Sequence, residues 1–207
     1  MPPVALLPAF APWFDLAGVA VFAATGALAA ARRRQTLVTF FFFALITGVG
    51  GGTVRDLLIG APVFWIVDAR VSATCLLVAA IIWVTPARWW AGAALDWFDA
   101  VGLAAYATYG AAKALGYGVP PVPAFVMGVI TACVGGIIRD VLAHEPSILM
   151  RPELYVTAAA LASAGYVTLT LLGLASMPAA VIAAVAGFAL RAAAIHWRLH
   201  LPAYRGS

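Results

Sequence analysis

The chain is 207 residues long, 65% hydrophobic and only 10% charged, with a mean hydropathy of +1.02 and a formal charge of +4. That balance excludes a water-soluble globule, which needs a polar coat, and makes the bilayer its solvent, with room for roughly six to eight spans of about 20 residues. The positive charge sits at the ends of apolar runs rather than on a basic face interleaved with aromatics, which excludes nucleic acid as a partner.

Met1-Pro2-Pro3 opens the chain without a positive n-region or a cleavable apolar segment, so it reads as mature protein. Apolar runs between charged or proline-containing breaks predict helices over 13–31, 36–59, 71–84, 97–115, 121–142, 152–172 and 178–197. Pro121, Pro152 and Pro178 are placed to open three of them, in the first turn, where no N–H partner is lost. Trp13, Trp65, Trp89, Trp90, Trp97 and Trp197 fall near span ends, as an aromatic belt requires.

Seven spans put the termini on opposite sides of the membrane. With the N-terminus outside, the cytoplasmic side holds Arg32, Arg33, Arg34, Arg88, Arg139, Arg151, Arg191, Arg198 and Arg205, against Arg55, Arg70 and Lys113 outside. The positive-inside rule therefore selects N-out, C-in. Cys75 and Cys133 lie inside apolar runs without metal or disulfide spacing and read as packing thiols. His196 and His200 have a four-residue spacing but no third ligand near them, so no metal site is expected. No Ser/His/Asp, HExxH or phosphate-loop pattern is present, which argues against an enzyme and against any cofactor beyond a permeant ion.

Shifted by 84 residues, the sequence matches itself. Trp13-Phe14-Asp15 falls on Trp97-Phe98-Asp99, Gly51-Gly52 on Gly135-Gly136, Arg55-Asp56 on Arg139-Asp140 and Pro62 on Pro146; 19 of 50 positions are identical without a gap. Shared Trp, Arg, Asp and Pro in one register mark a duplication rather than compositional bias. The predicted architecture is an all-α integral membrane protein of seven transmembrane helices. A first three-helix repeat spans 1–95, a second 96–175, and a seventh helix with its tail 176–207. Three spans is an odd number, so the second repeat enters the bilayer from the opposite side, the inverted arrangement of many transport proteins.

The second span contains Thr47-Gly48-Val49-Gly50-Gly51-Gly52 and the fifth repeats it as Thr131-Ala132-Cys133-Val134-Gly135-Gly136. Each glycine costs a helix about 1 kcal/mol relative to alanine, so these runs are expected to kink or unwind the helices near the midplane, the alternative being that they only let two helices pack closely. Freed backbone groups at that depth must be satisfied by protein, water or an ion, which makes the two breaks the expected lining of a path. Gly18, Gly26, Gly102 and Gly110, eight apart in the first and fourth spans, read instead as close-packing positions.

Arg55-Asp56 and Arg139-Asp140 follow the glycines, near one membrane face each. Neighbours on a helix point in different directions, so the expectation is either anchoring in the headgroup layer or pairing across the repeats, Arg55 with Asp140 and Arg139 with Asp56. Asp15 and Asp99, each just after Trp-Phe, read as N-caps beside interfacial aromatic anchors, with a vestibule for cations as the alternative. Lys113, the only lysine, lies beneath Tyr106 and Tyr109, placed either to snorkel to the outer face or to gate an opening or sense voltage.

The doubled Gly-Gly-x-x-Arg-Asp in one 84-residue register, the Trp-Phe-Asp pairs, the trailing prolines and the seven-span count make the chain similar to the prokaryotic trimeric intracellular cation channels. In some bacterial members the repeated domain is also labelled a glycine transporter domain. The resemblance implies a homotrimer with a pore in each subunit, formed largely by the second and fifth helices kinked at Gly50, Gly51, Gly52, Gly135 and Gly136, and passive conduction of K⁺ and Na⁺. Eleven Arg against one Lys suggest a GC-rich bacterial genome and the cytoplasmic membrane, with membrane lipids as surroundings. The residues themselves leave a second reading open, since opposed half-helix dipoles also suit a carrier for glycine or another small zwitterion.

Overall fold

A computed structural model describes residues 11–90, 93–150 and 152–202, with side chains from residue 15 onward. The side chains of Trp13 and Phe14, and Arg151 and Arg205 altogether, lie outside the described residues. Eight helices follow in order: α1 (Ala11–Arg32), α2 (Leu37–Leu58), α3 (Phe64–Val67), α4 (Ala69–Val84), α5 (Ala94–Gly116), α6 (Pro121–Leu142), α7 (Tyr155–Leu171) and α8 (Ser176–Trp197). Two 3₁₀ turns, Ala87–Trp90 and Ile148–Met150, occupy the connections.

The seven long helices coincide with the seven predicted ones; the four-residue α3, after Pro62, is an addition. Of the long ones, α1, α2, α6 and α8 are long and apolar enough to cross a bilayer on length and composition alone. At 16 and 17 residues, α4 and α7 are about 24–26 Å long, and α5 carries Asp96, Asp99 and Lys113. Pro121 opens α6 and Pro178 sits in the first turn of α8, but Pro152 precedes α7 instead of opening it: its carbonyl accepts the Leu201 N–H at 2.7 Å.

Exposed carbonyls at helix ends are costly in an apolar solvent, and six helices dispose of them in one way. Arg34, Gly60, Gly118, His144, Gly173 and Arg198 each adopt a positive φ, between +51° and +88°. The next N–H then bonds back into the last turn, for example Gln35 to Ala30, Ala61 to Asp56 and Glu145 to Asp140. At the other ends, the Thr36 hydroxyl accepts from the Thr39 N–H and the Asp68 carboxylate from the Arg70 N–H, capping α2 and α4.

The centre of the molecule is the crossing of α2 and α6. Both helices run unbroken through their glycines, which corrects the expectation of an unwound segment. The glycines serve contact instead. A Cβ on Gly51 would collide with the Thr131 carbonyl, and one on Gly135 would collide with the Thr47 carbonyl. Gly50 lies against Gly135 itself, its would-be Cβ 3.6 Å from the Gly135 Cα. Backbone against backbone is the closest approach two helices can make, and it leaves the intrahelical hydrogen bonds intact, so nothing drives the helices to unwind.

The same reciprocity extends to α1 and α5, which run antiparallel. Gly18 lies under the Tyr106 ring and Gly102 under the Phe22 ring, and the two rings meet with centroids 5.4 Å apart. Gly26 packs on the Phe43 carbonyl and the Thr47 hydroxyl, and Gly110 on Thr131. Each pair maps onto the other by the 84-residue shift.

Gly51→Ala is expected to lower stability by about 1–3 kcal/mol, because the methyl group has only a carbonyl to displace. Gly165→Ala, where the new Cβ makes an ordinary 3.5 Å contact with Ala183, should be neutral or gain up to about 1 kcal/mol in helix propensity. Thermal unfolding of the two purified variants in detergent checks the ordering, and a Gly51→Ala as stable as wild type would contradict the packing account.

Candidate functional site

At each end of the α2–α6 crossing lies a buried cluster of charges. The first gathers the last turns of α2 and α5 and the first turns of α1. Arg55 donates from Nε to Asp56 Oδ1 at 2.8 Å, and the Lys113 ammonium sits 2.8 Å from the same oxygen. Asp56 Oδ2 accepts the Phe64 N–H at 3.1 Å and so caps α3. Asp15 is held by the hydroxyls of Tyr106, at 3.1 Å, and Tyr109, at 3.3 Å. The Arg55 guanidinium lies 5.2 Å from the Tyr109 ring centroid and 5.8 Å from that of Phe64. Two carboxylates face two cations, so the cluster is neutral.

The second cluster gathers the last turn of α6, the first turns of α5 and α7 and the end of α8. Arg139 donates from Nε to Asp140 Oδ1 at 2.9 Å and from Nη1 to Asp99 Oδ1 at 2.7 Å. Asp140 Oδ2 accepts the Ile148 N–H at 2.8 Å, the counterpart of the Asp56–Phe64 bond 84 residues earlier. Arg191 on α8 reaches Glu153 at 2.7 Å and lies 5.4 Å from the Tyr155 ring centroid. The Tyr155 hydroxyl and Asp99 Oδ2 are buried without a hydrogen-bond partner, beside the bare Cα of Gly136. Asp99 and Lys113 are 14 residues apart on α5, so the clusters are separated by about 21 Å along the helix.

These positions correct several sequence readings. Neighbouring Arg and Asp do pair, because the long guanidinium folds back along the helix onto the next carboxylate, and among the described residues Arg55 does not pair with Asp140 nor Arg139 with Asp56. Nor are these residues headgroup anchors: Arg55 and Asp56 are fully buried and Arg139 is 2% exposed. Asp15 and Asp99 lie inside α1 and α5 rather than capping them. Lys113 is buried on Asp56 and does not snorkel.

Among the other residues singled out, Thr131 returns its hydroxyl to the Met127 carbonyl at 2.6 Å, while the buried Thr47 hydroxyl has no partner. Gly48 packs on Cys75 and the Val19 carbonyl, and Gly52 under the Phe64 ring. Sequence reasoning missed Glu153 and Tyr155 as site residues and placed Arg191 only as a topology signal. A lone arginine between Phe188-Ala189-Leu190 and Ala192-Ala193-Ala194, inside the last span, was the available clue to Arg191.

Known proteins resemble the chain along nearly its full length. The family described as Glycine transporter matches it twice, over residues 12–87 and 96–171. The chain belongs to this family. It is 39% identical to a UPF0126 membrane protein of Vibrio cholerae over 92% of this chain and 81% of that one. It is 38% identical to the UPF0126 inner membrane protein YadS of Escherichia coli, over 93% and 95% of the two chains. Among solved structures, it is similar to a TRIC trimeric intracellular cation channel orthologue from Rhodobacter sphaeroides, with 39% identity, 93% of this chain and 100% of that one covered, and a TM-score of 0.86. A structure described as revealing the basis of conductance through TRIC cation channels follows at 28% identity and a TM-score of 0.84, covering 95% and 98%. A Caenorhabditis elegans channel of the same name shares the fold at 14% identity, with a TM-score of 0.62 and 94% of each chain covered.

The two clusters differ in how many partners depend on one cation. Lys113→Met leaves Asp56 still bonded to Arg55, for an expected loss of about 1–3 kcal/mol. Arg139→Met strips both Asp99 and Asp140, for an expected loss of about 3–5 kcal/mol. Equal losses in chemical or thermal unfolding would overturn this account of the clusters.

Proposed function

We propose that the chain is a membrane channel that conducts monovalent cations, K⁺ and Na⁺, passively and without catalysis. The observation that carries this reading is the likeness, at 39% identity and a TM-score of 0.86, to a trimeric cation channel over 93% of the chain. By the same likeness the working unit is a homotrimer with one path per subunit. All seven long helices cross the bilayer of the bacterial inner membrane, with the N-terminus outside and the C-terminus in the cytoplasm. The two repeats, 1–95 and 96–175, are inverted, and α8 with the tail completes the chain. Antiparallel α1 and α5, and the reciprocal contacts of Gly51 and Gly135, support the inversion.

In this reading the path runs along the α2–α6 crossing, past Thr47, Thr131 and the glycines. It is shut at one end by Arg55, Asp56 and Lys113 and at the other by Arg139, Asp140 and Asp99. Opening means separating ion pairs that are closed here. Lys113 is the natural mobile element of the first closure, because it sits on a different helix from its partner, Asp56. A second reading, a carrier for glycine, has the family's description and the presence of a closure at both ends in its favour, since alternating closure is what a carrier needs.

Purified protein in planar bilayers under a KCl gradient is expected to give discrete current steps that reverse near the K⁺ potential. Slow saturable glycine uptake without steps would select the carrier instead. Lys113→Gln is expected to raise open probability at least several-fold in the same recordings, and an unchanged open probability would remove Lys113 from the closure.

A further inference from the structure

We propose that residues 199–201, just past α8, are a strap that clamps the start of α7 and so holds shut the closure made by Arg139, Asp140 and Asp99. Within the conduction reading, on which this rests, the strap is a device that acts at one end of the path.

The strap is built by a reversal of the chain. Arg198 adopts a φ of +52°, and the Leu199 N–H returns to the Ala194 carbonyl at 3.1 Å, which ends α8 and turns the backbone back. His200 then lies opposite Glu153 in an antiparallel bridge, and the Leu201 N–H donates to the Pro152 carbonyl at 2.7 Å. The segment it grips lacks a cap of its own, since α7 starts at Tyr155 with no side-chain hydrogen bond from Leu154. In the first repeat the equivalent of Pro152 is Asp68, whose carboxylate caps α4 locally by accepting the Arg70 N–H. The start of α7 is held from outside instead, by α8 and the strap.

Two links carry that grip to the closure. Glu153 reaches the buried Arg191 at 2.7 Å, while Asp96 acts on the same guanidinium only through space, and its Nε and Nη1 have no hydrogen-bond partner among the described residues. A buried cation with one contacting carboxylate depends on that carboxylate staying in place. Tyr155 is the second link, its N–H on the Glu153 carbonyl at 2.8 Å and its ring centroid 5.4 Å from the Arg191 guanidinium. Its buried hydroxyl stands over Gly136, where an added Cβ would lie 3.0 Å from it and 3.6 Å from both Arg139 Nη2 and Asp99 Oδ1. Tyr155 thus covers the Arg139–Asp99 pair, and movement at the start of α7 uncovers it. The strap follows α8, outside both matched repeats, so the duplication supplies no copy of it at the closure of Arg55, Asp56 and Lys113.

A chain ending at Arg198, compared with the full-length protein in planar bilayers, tests this. Its open probability should rise about fivefold, the weight of one backbone hydrogen bond, at unchanged single-channel conductance. The variant P152C/L201C keeps Glu153, Arg191 and Tyr155, and opposite positions of an antiparallel pair lie within disulfide reach. Oxidation should lock its strap and lower open probability, reduction should restore it, and wild type should respond to neither. Equal opening of the shortened and full-length chains overturns the proposal, as does equal opening of the oxidised and reduced variant. Hydrogen exchange reads the strap without any current. Amides of residues 155–159 should exchange about fivefold faster in the shortened chain, while those of α4 keep their rates. Unchanged exchange at 155–159 overturns the strap whatever the currents. A wild type that passes no current would remove the conduction reading, and exchange alone then decides whether the strap clamps α7.

Discussion

The contact of Gly51 with the Thr131 carbonyl, and of Gly135 with that of Thr47, is the constraint on which the rest of the molecule depends. In a bilayer there is no hydrophobic reward for bringing two helices together, so association rests on close packing and on polar contacts. Removing the side chain at the point of crossing brings the backbones within van der Waals reach and sets the positions of everything further along α2 and α6. Arg55 and Arg139, each four residues past its crossing glycine, are thereby delivered to opposite ends of the interface.

Those arginines meet environments that are similar but unequal. Each pairs with the next carboxylate, and each carboxylate caps the turn that follows, so the geometry of the motif is repeated. The surroundings are not. Lys113 joins the first cluster, where its counterpart by the shift is Ala29, and Tyr155 and Arg191 join the second, where the counterpart of Tyr155 is Val71. Asp99 reaches Arg139 directly, while Asp15 is held by two tyrosines. A duplicated frame has therefore kept its buried carboxylates and arginines and acquired different partners for them on each side. For the proposed channel this means two closures with different strengths, each made of charges that stay buried only while paired.

The resemblance to known channels was legible because its signals are local in sequence. Gly-Gly-x-x-Arg-Asp, written twice, identifies the frame before any contact is known, and the apolar runs locate the long helices to within a few residues. The fate of the glycines was not legible. A run of three glycines lowers helix propensity by about 3 kcal/mol taken alone. Whether the helix yields depends on what lies against it, and Thr131 is 80 residues away in the chain. Similarly, Lys113 beneath two tyrosines reads as a snorkelling cation, or as one that gates or senses voltage, and its burial against Asp56 is visible only once the two helices are brought together.

By itself the sequence determined that this chain lives in a membrane, that it is helical, that it is duplicated, and which residues each copy retains. Those properties follow from composition, period and register, which are summed along the chain. Only the tertiary structure decided that the glycine helices stay whole, that neighbouring Arg and Asp pair, and that Lys113, Tyr155 and Arg191 break the symmetry. These are contests between a local preference and a partner brought from far along the chain, and the packed neighbour settles each one.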